Sequence, residues 1–189
     1  MVQVRRVPIT NLKTFGDMSD SFLAMVKGLY SQASRIDFVF DTYIDGSVKD
    51  SEHIRRCDTT PIDINTLCID TPLPAEMASF WASANNKSKL QDLLRFTIIQ
   101  CAHDKFPGKQ VILSGTGIPG ETDTTECLLL PAGGSVSIRE PRLEVELEEA
   151  YQRLIPHAVD AVKFGARRRL LLTIMCYTLE ISKSYDLVV

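Results

Sequence analysis

Three short apolar runs constrain the fold of this chain more than any other feature: RIDFVFDTYI (35–44), KQVILSG (109–115) and LLLTIMCYTLEI (170–181). Each reads as a strand, and the first and third are apolar enough to be buried on both faces. Segments of helical spacing lie between them. Phe15, Met18, Phe22, Met25, Val26 and Leu29 fall near one face of a helix within residues 14–33. Leu90, Leu93, Leu94, Thr97, Ile98 and Cys101 line a second helix, with Asn85, Asn86 or Ser88 as its cap and Pro107-Gly108 as its end. A third helix spans 143–165. Its apolar stripe is Leu143, Leu147, Ala150, Leu154, Val159 and Val162, with a kink at Pro156 and a cap at Gly165. Strands separated by helices predict an α/β fold, three-layer α/β/α, with a mostly parallel central sheet in which 35–44 and 170–181 are neighbours.

The remaining segments are connections. Asp45-Gly46-Ser47 signals a turn, with Ser47 capping a short helix through about Arg56. Residues 57–75 read as extended, and 76–83 as a helical turn carrying Trp81. Residues 115–142, with glycine or proline at 115, 117, 119, 120, 131 and 133, read as one long functional or mobile loop. Its GTGIPG matches GxGxxG only superficially, because no helix-forming stretch follows.

A chain of 189 residues can bury one ordinary core, and no repeat or second domain is visible. The expectation is a single domain over 1–189, cut from a longer protein, because the chain ends soon after its third strand. A net charge of −3 does not mark a nucleic-acid binder. Basic clusters stand at Arg5–Arg6, Arg55–Arg56 and Arg167–Arg169, and an acidic one at 144–149. The 5 cysteines form no CxxC pair, which argues against structural zinc and against a disulfide framework. A reducing, intracellular compartment is expected. No run is apolar and long enough to span a membrane.

The segment TFGDMSDSFLAMVKGLYSQASRIDFVFDTYIDGSVKDSEHIRR resembles the start of a PIN-like (FEN/PIN nuclease-type) domain of the branch associated with mobile elements in animal genomes. The resemblance rests on Thr14-Phe15, on Val39-Phe40-Asp41-Thr42-Tyr43, on Ser47-Val48-Lys49 and on Arg55-Arg56. FWASANNKSKLQDLL and LEEAYQRLIPHAVDAVKFGARRRLLLTIMCYTL are similar to later blocks of the same family, so patches of 14–181 are covered.

The departures from that family carry the functional expectation. The family's acidic helix begins Glu-Glu-Ala-Asp-Thr-Arg. Glu148, Glu149, Ala150 and Arg153 match it, but Tyr151 replaces the aspartate and Gln152 the threonine. The family's last strand ends Asp-Thr-Asp, where this chain has Met175, Cys176 and Tyr177. Magnesium and manganese need hard oxygen ligands. The resemblance therefore implies a catalytically inactive domain, a pseudonuclease, with Asp41, Glu148 and Glu149 vestigial, Tyr151, Met175 and Tyr177 at lost positions, and no metal or other cofactor. It acts as a protein–protein interaction or dimerisation module in a nucleic-acid-associated complex, nuclear rather than cytoplasmic and not at a membrane.

Two alternatives stay open. A residual nuclease would use Asp41, Glu148 and Glu149, with or without Glu144 or Glu146, around magnesium or manganese. A non-cleaving nucleic-acid module would use Arg55, Arg56, Arg167, Arg168 and Arg169. Each residue also has a structural reading. Asp41 suits a strand-end cap, Glu148 and Glu149 complement a helix dipole, and Cys176 is inert packing. His53, His103 and His157 are scattered and suggest no catalytic set.

Overall fold

The computed structural model describes residues 2–40, 60–115, 127–132, 137–144, 150–163 and 169–173. Strands β1 (Arg35–Val39), β2 (Gln110–Ser114), β3 (Cys127–Leu130), β4 (Ile138–Arg139) and β5 (Arg169–Thr173) form one sheet in the order β4-β3-β2-β1-β5. β1 lies at the junction of two parallel pairs. Arg35 is opposite Gln110 on one side and Arg169 on the other. The described parts of the two long apolar runs, in strands 35–39 and 169–173, are thus sheet neighbours.

The sheet is mixed rather than mostly parallel in its pairing, because β3 runs antiparallel to both β2 and β4. These strands lie inside the stretch read from sequence as a long loop. CLLL is only one short apolar run among glycines and prolines, and its partner SIR has no strand signature. A 3-10 turn, Pro141–Leu143, follows.

Helix α1 covers Val2–Arg5, and α2 covers Phe15–Leu29. α2 starts where Thr14 and Asp17 form a reciprocal capping box. Its face of Phe15, Met18, Phe22, Leu23 and Val26 is wholly buried. Helix α3 (Met77–Ala82) carries Trp81, and α4 spans Ala84–Lys105. Ser83 caps α4, accepting from Asn86 N–H at 3.2 Å. Neither Asn85, Asn86 nor Ser88 does so. Asn86 is inside the helix and buried, where its amide donates to Ile62 O at 2.6 Å and its carbonyl accepts from Ile64 N at 2.9 Å. It thereby ties the irregular 60–75 connection to α4.

Alternation along β1 sends Ile36 and Phe38 into a core with α2 and α4. Val111 and Leu113 of β2 share that face by register, and Phe22 and Phe106 stack around Phe38 at 6.3 and 6.0 Å. The alternate face carries Arg35 and Asp37, both buried. Helix α5 (Ala150–Lys163), which contains Pro156, packs there against β1 and β5.

Helix α5 corrects one expectation. Of the stripe read from sequence, Leu143 and Leu154 are buried, but Val159 and Val162 are each 47% exposed; Ile155, outside that stripe, is also exposed. The side chains that α5 buries are Arg153, Leu154, His157, Asp160 and Ala161. The helix is inverted because the β1 face it covers is ionic, and only polar groups can satisfy buried charge.

Candidate functional site

The ionic layer under β1 is built from consecutive pairings. Arg35 sends Nε to Asp37 Oδ1 and Nη2 to Asp37 Oδ2, both at 2.7 Å, a bidentate fork between strand neighbours two apart. Its Nη1 reaches across to Asp160 Oδ2 of α5 at 2.6 Å. Asp160 Oδ1 is held in turn by Arg142 Nη1 of the 3-10 turn at 3.0 Å. His157 Nδ1 meets Asp37 Oδ2 at 2.8 Å. A carboxylate can only accept, so Nδ1 carries the proton. Among the described residues, His157 Nε2 is buried with no hydrogen-bond partner.

Burial by itself would lower the basicity of Arg35. The hydrogen bonds and charges of Asp37 and then Asp160 outweigh it and hold the guanidinium above its usual value. Arg35 and Arg142 face Asp37 and Asp160 in this layer, and Arg142 Nε also pairs with Glu140 Oε2 at 2.5 Å. The Cys127 thiol stands beside this layer on β3. Burial, with the nearby negative charges of Asp37, Glu140 and Glu144, pushes its pKa far above the ordinary thiol value, so it stays protonated.

Ligand sites of open α/β sheets form at the carboxyl ends of parallel strands. At that end of β1 stands Phe40, whose amide continues the ladder to Ser114 O at 2.7 Å. Two wholly buried arginines converge on it. Arg95, from α4, lies over the Phe40 ring at 5.7 Å to the centroid. Arg153, from α5, donates through Nη2 to the Phe40 carbonyl. Gly115, at φ +150°, comes so close that a Cβ there would sit 2.7 Å from Phe40 Cβ. The side chains described around Phe40 are thus two guanidiniums and apolar groups, with Asp92 on α4 near enough to Arg95 for their charges to interact.

Most residues singled out from sequence are not among those the structure describes. Asp41, Arg55, Arg56, Glu148, Glu149, Arg167, Arg168, Met175, Cys176 and Tyr177 lie outside the described residues. Tyr151 is in the first turn of α5, and Arg169 opens β5 opposite Arg35. Among the described residues no group of three or more His, Cys, Asp or Glu is placed to hold a metal. No described helix is long and apolar enough to cross a membrane.

Sequence reasoning missed Arg35, Asp37, Arg95, His157 and Asp160. The available signal was spacing. Arg153, His157 and Asp160 recur at i, i+4 and i+7 on one helical face, the same period as an apolar stripe.

Compared with family models, with curated proteins and with solved structures, the chain matches none.

Proposed function

We propose that this chain is a PIN-like α/β domain of three-layer form that does not cleave nucleic acid and serves as a protein–protein interaction or dimerisation module, within a nucleic-acid-associated complex of the nucleus. The observation that carries the reading is the pair of buried guanidiniums, Arg95 and Arg153, at Phe40, immediately before Asp41 in the chain. A metal-dependent nuclease concentrates negative charge there so that a hard cation can bind and activate water. The charged groups described at that strand end are the guanidiniums of Arg95 and Arg153, which do not ligate a cation. Both arginines are buried, so they do not offer a phosphate-binding surface either. Substitution of Met175 and Tyr177 for the family's carboxylates points the same way.

Manganese calorimetry on the whole chain, paired with cleavage assays on single-stranded and flapped DNA, tests this reading. The expected result is no saturable binding at micromolar metal and no cleavage. The double variant Asp41→Asn, Glu149→Gln is expected to keep the unfolding midpoint of the parent. Micromolar manganese binding with cleavage, both lost in the double variant, would establish a residual nuclease instead.

A further inference from the structure

We infer that the outer face of α4 docks an extended, basic segment of a partner protein, which seats a lysine or arginine against Asp92 and Phe96 and a large apolar side chain, three residues away, in the cavity beside Ile99. The inference rests on the interaction-module reading and gives that module its surface and the chemistry of its partner. Asp92, Phe96, Ile99 and His103 recur at i, i+4, i+7 and i+11 along α4, so they form one stripe. Phe96 and His103 are more than half exposed, while Asp92 and Ile99 are half-buried.

Asp92 supplies the charge. A half-buried carboxylate is ordinarily held by hydrogen-bond donors. Among the described residues none donates to Asp92 and none forms an ion pair with it; the charge of Arg95, three residues along, is its electrostatic neighbour. Loss of solvent outweighs that neighbour and holds the Asp92 carboxyl above the usual carboxylate value. A second cation with hydrogen bonds to give is what this group lacks. Phe96, one turn from Asp92, offers an exposed ring, and a cation over an aromatic ring adds to a charge pair. Carboxylate and ring together fit a lysine or arginine side chain and repel a phosphate or an acidic peptide.

The cavity supplies the second anchor. It holds about 360 Å³ between the C-terminal half of α4 and strands β2 and β3, and its apolar lining is Ile99, Ala102, Phe106, Val111, Leu130 and Pro131. Lys109, which also lines it, has its ammonium committed to the carbonyls of Ser31, at 2.7 Å, and Ala33. At the rim His103 Nδ1 lies 3.3 Å from Asp104 Oδ1, so the exposed charge there is again acidic. The site thus matches a segment that is basic outside and apolar where it enters. Seven residues of helix, from Asp92 to Ile99, advance about 10 Å. Three residues of extended chain cover the same ~10 Å, which sets the spacing of the two anchors. Arginine and large apolar side chains in pockets are the usual anchors of such contacts.

The test is selection of a random dodecapeptide library, displayed on phage, against the full chain, followed by fluorescence anisotropy of the enriched peptide. Peptides with lysine or arginine three residues from a large apolar residue are expected. Asp92→Asn should weaken the enriched peptide by about tenfold or more, and Ile155→Ser, on α5 across the sheet, should leave it unchanged. Asp92→Asn preserves shape and is expected to keep the unfolding midpoint of the parent. Should it not fold, Phe96→Ser, at an exposed position, gives a second readout and should weaken the peptide about threefold or more. No enrichment would overturn the inference, as would enrichment of acidic or wholly apolar peptides. So would binding that the folded variant, Asp92→Asn or Phe96→Ser, leaves intact; such a peptide sits elsewhere, which removes this site but not the interaction-module reading. None of these outcomes bears on metal binding or cleavage, which the manganese experiment reads separately.

Discussion

His157 Nδ1 lies 2.8 Å from Asp37 Oδ2, and both side chains are essentially inaccessible to solvent, at 0% and 1% exposed. Asp37 therefore balances Arg35 and orients His157 at the same time, joining α5 to the central strand through charge rather than apolar packing. Removing one member of a buried pair leaves its partner charged and unsolvated. That is worse than never having placed either charge there.

Asp37→Ala is accordingly expected to destabilise the fold by about 3–5 kcal/mol, because Arg35 loses its fork and His157 its anchor. His157→Leu leaves the Arg35–Asp37 fork intact and removes an already unsatisfied Nε2, so its cost should be about 1–2 kcal/mol. Urea unfolding checks the ranking, provided the two variants keep the same m-value. Equal losses would mean that the layer does not act as a connected unit.

How much of this was legible beforehand depended on what each pattern is sensitive to. β1, β2 and the start of β5 announced themselves through apolar runs, and α2 and α4 through apolar periodicity, because burial of hydrocarbon leaves that imprint. β3 and β4 left almost none: a run of four residues and one of two fall below what periodicity can resolve. Of the stripe expected on α5, Leu154 is buried but Val159 and Val162 face outward. Periodicity gives the angle between two faces but does not say which one is inside, and an ionic β1 face reverses the usual choice. The candidate site was least legible, since Arg95 and Asp37 become partners of Phe40 and His157 only through contacts distant in sequence.

The capping box at the start of α2 predicts an acid-sensitive helix end. Thr14 Oγ1 accepts from Asp17 N–H at 3.2 Å, while Asp17 Oδ2 accepts from the backbone N–H groups of Lys13 at 2.8 Å and Thr14 at 3.0 Å. Thr14→Ala should cost about 1 kcal/mol. Those backbone donors, Lys13 first and then Thr14, lower the Asp17 pKa below the usual carboxylate value. A carboxylate with a depressed folded pKa contributes stability that is present above its unfolded pKa of about 4 and is lost as pH falls through the lower folded value. Thermal unfolding followed below pH 4 should show a shallower decline for Asp17→Asn than for the parent.

Thiol reactivity should follow environment. Cys68 is exposed, and its pKa is lowered by hydrogen bonding to the Thr71 hydroxyl, whose oxygen lies 3.3 Å from the sulfur, and to the Asp70 backbone. Burial raises that of Cys101, and raises that of Cys127 far more. Of these three described cysteines, timed alkylation of the native chain near neutral pH, read by peptide mass spectrometry, should modify Cys68 first, Cys101 later and Cys127 only on unfolding. Early labelling of Cys127 would show that β3 opens locally from the sheet.

Gly115 offers the most direct probe of the arginine-flanked strand end. Its φ of +150° is one that side-chain-bearing residues rarely adopt, and an added Cβ would sit 2.7 Å from Phe40 Cβ and 3.4 Å from Arg95 Nη1. Both obstacles belong to the same assembly: Phe40 is buried between sheet and helices, and Arg95 lies across its ring. Neither can withdraw without disturbing a filled core. Gly115→Ala should therefore destabilise the fold by about 2–3 kcal/mol, combining backbone strain with overpacking. Gly28, where a Cβ meets nothing within 4 Å on an exposed turn of α2, provides the contrast. There the same substitution should stabilise by about 0.5–1 kcal/mol through helix propensity. The opposite signs of the two alanine variants in chemical denaturation would tie the destabilisation at Gly115 to its packing against Phe40 and Arg95 rather than to loss of glycine as such.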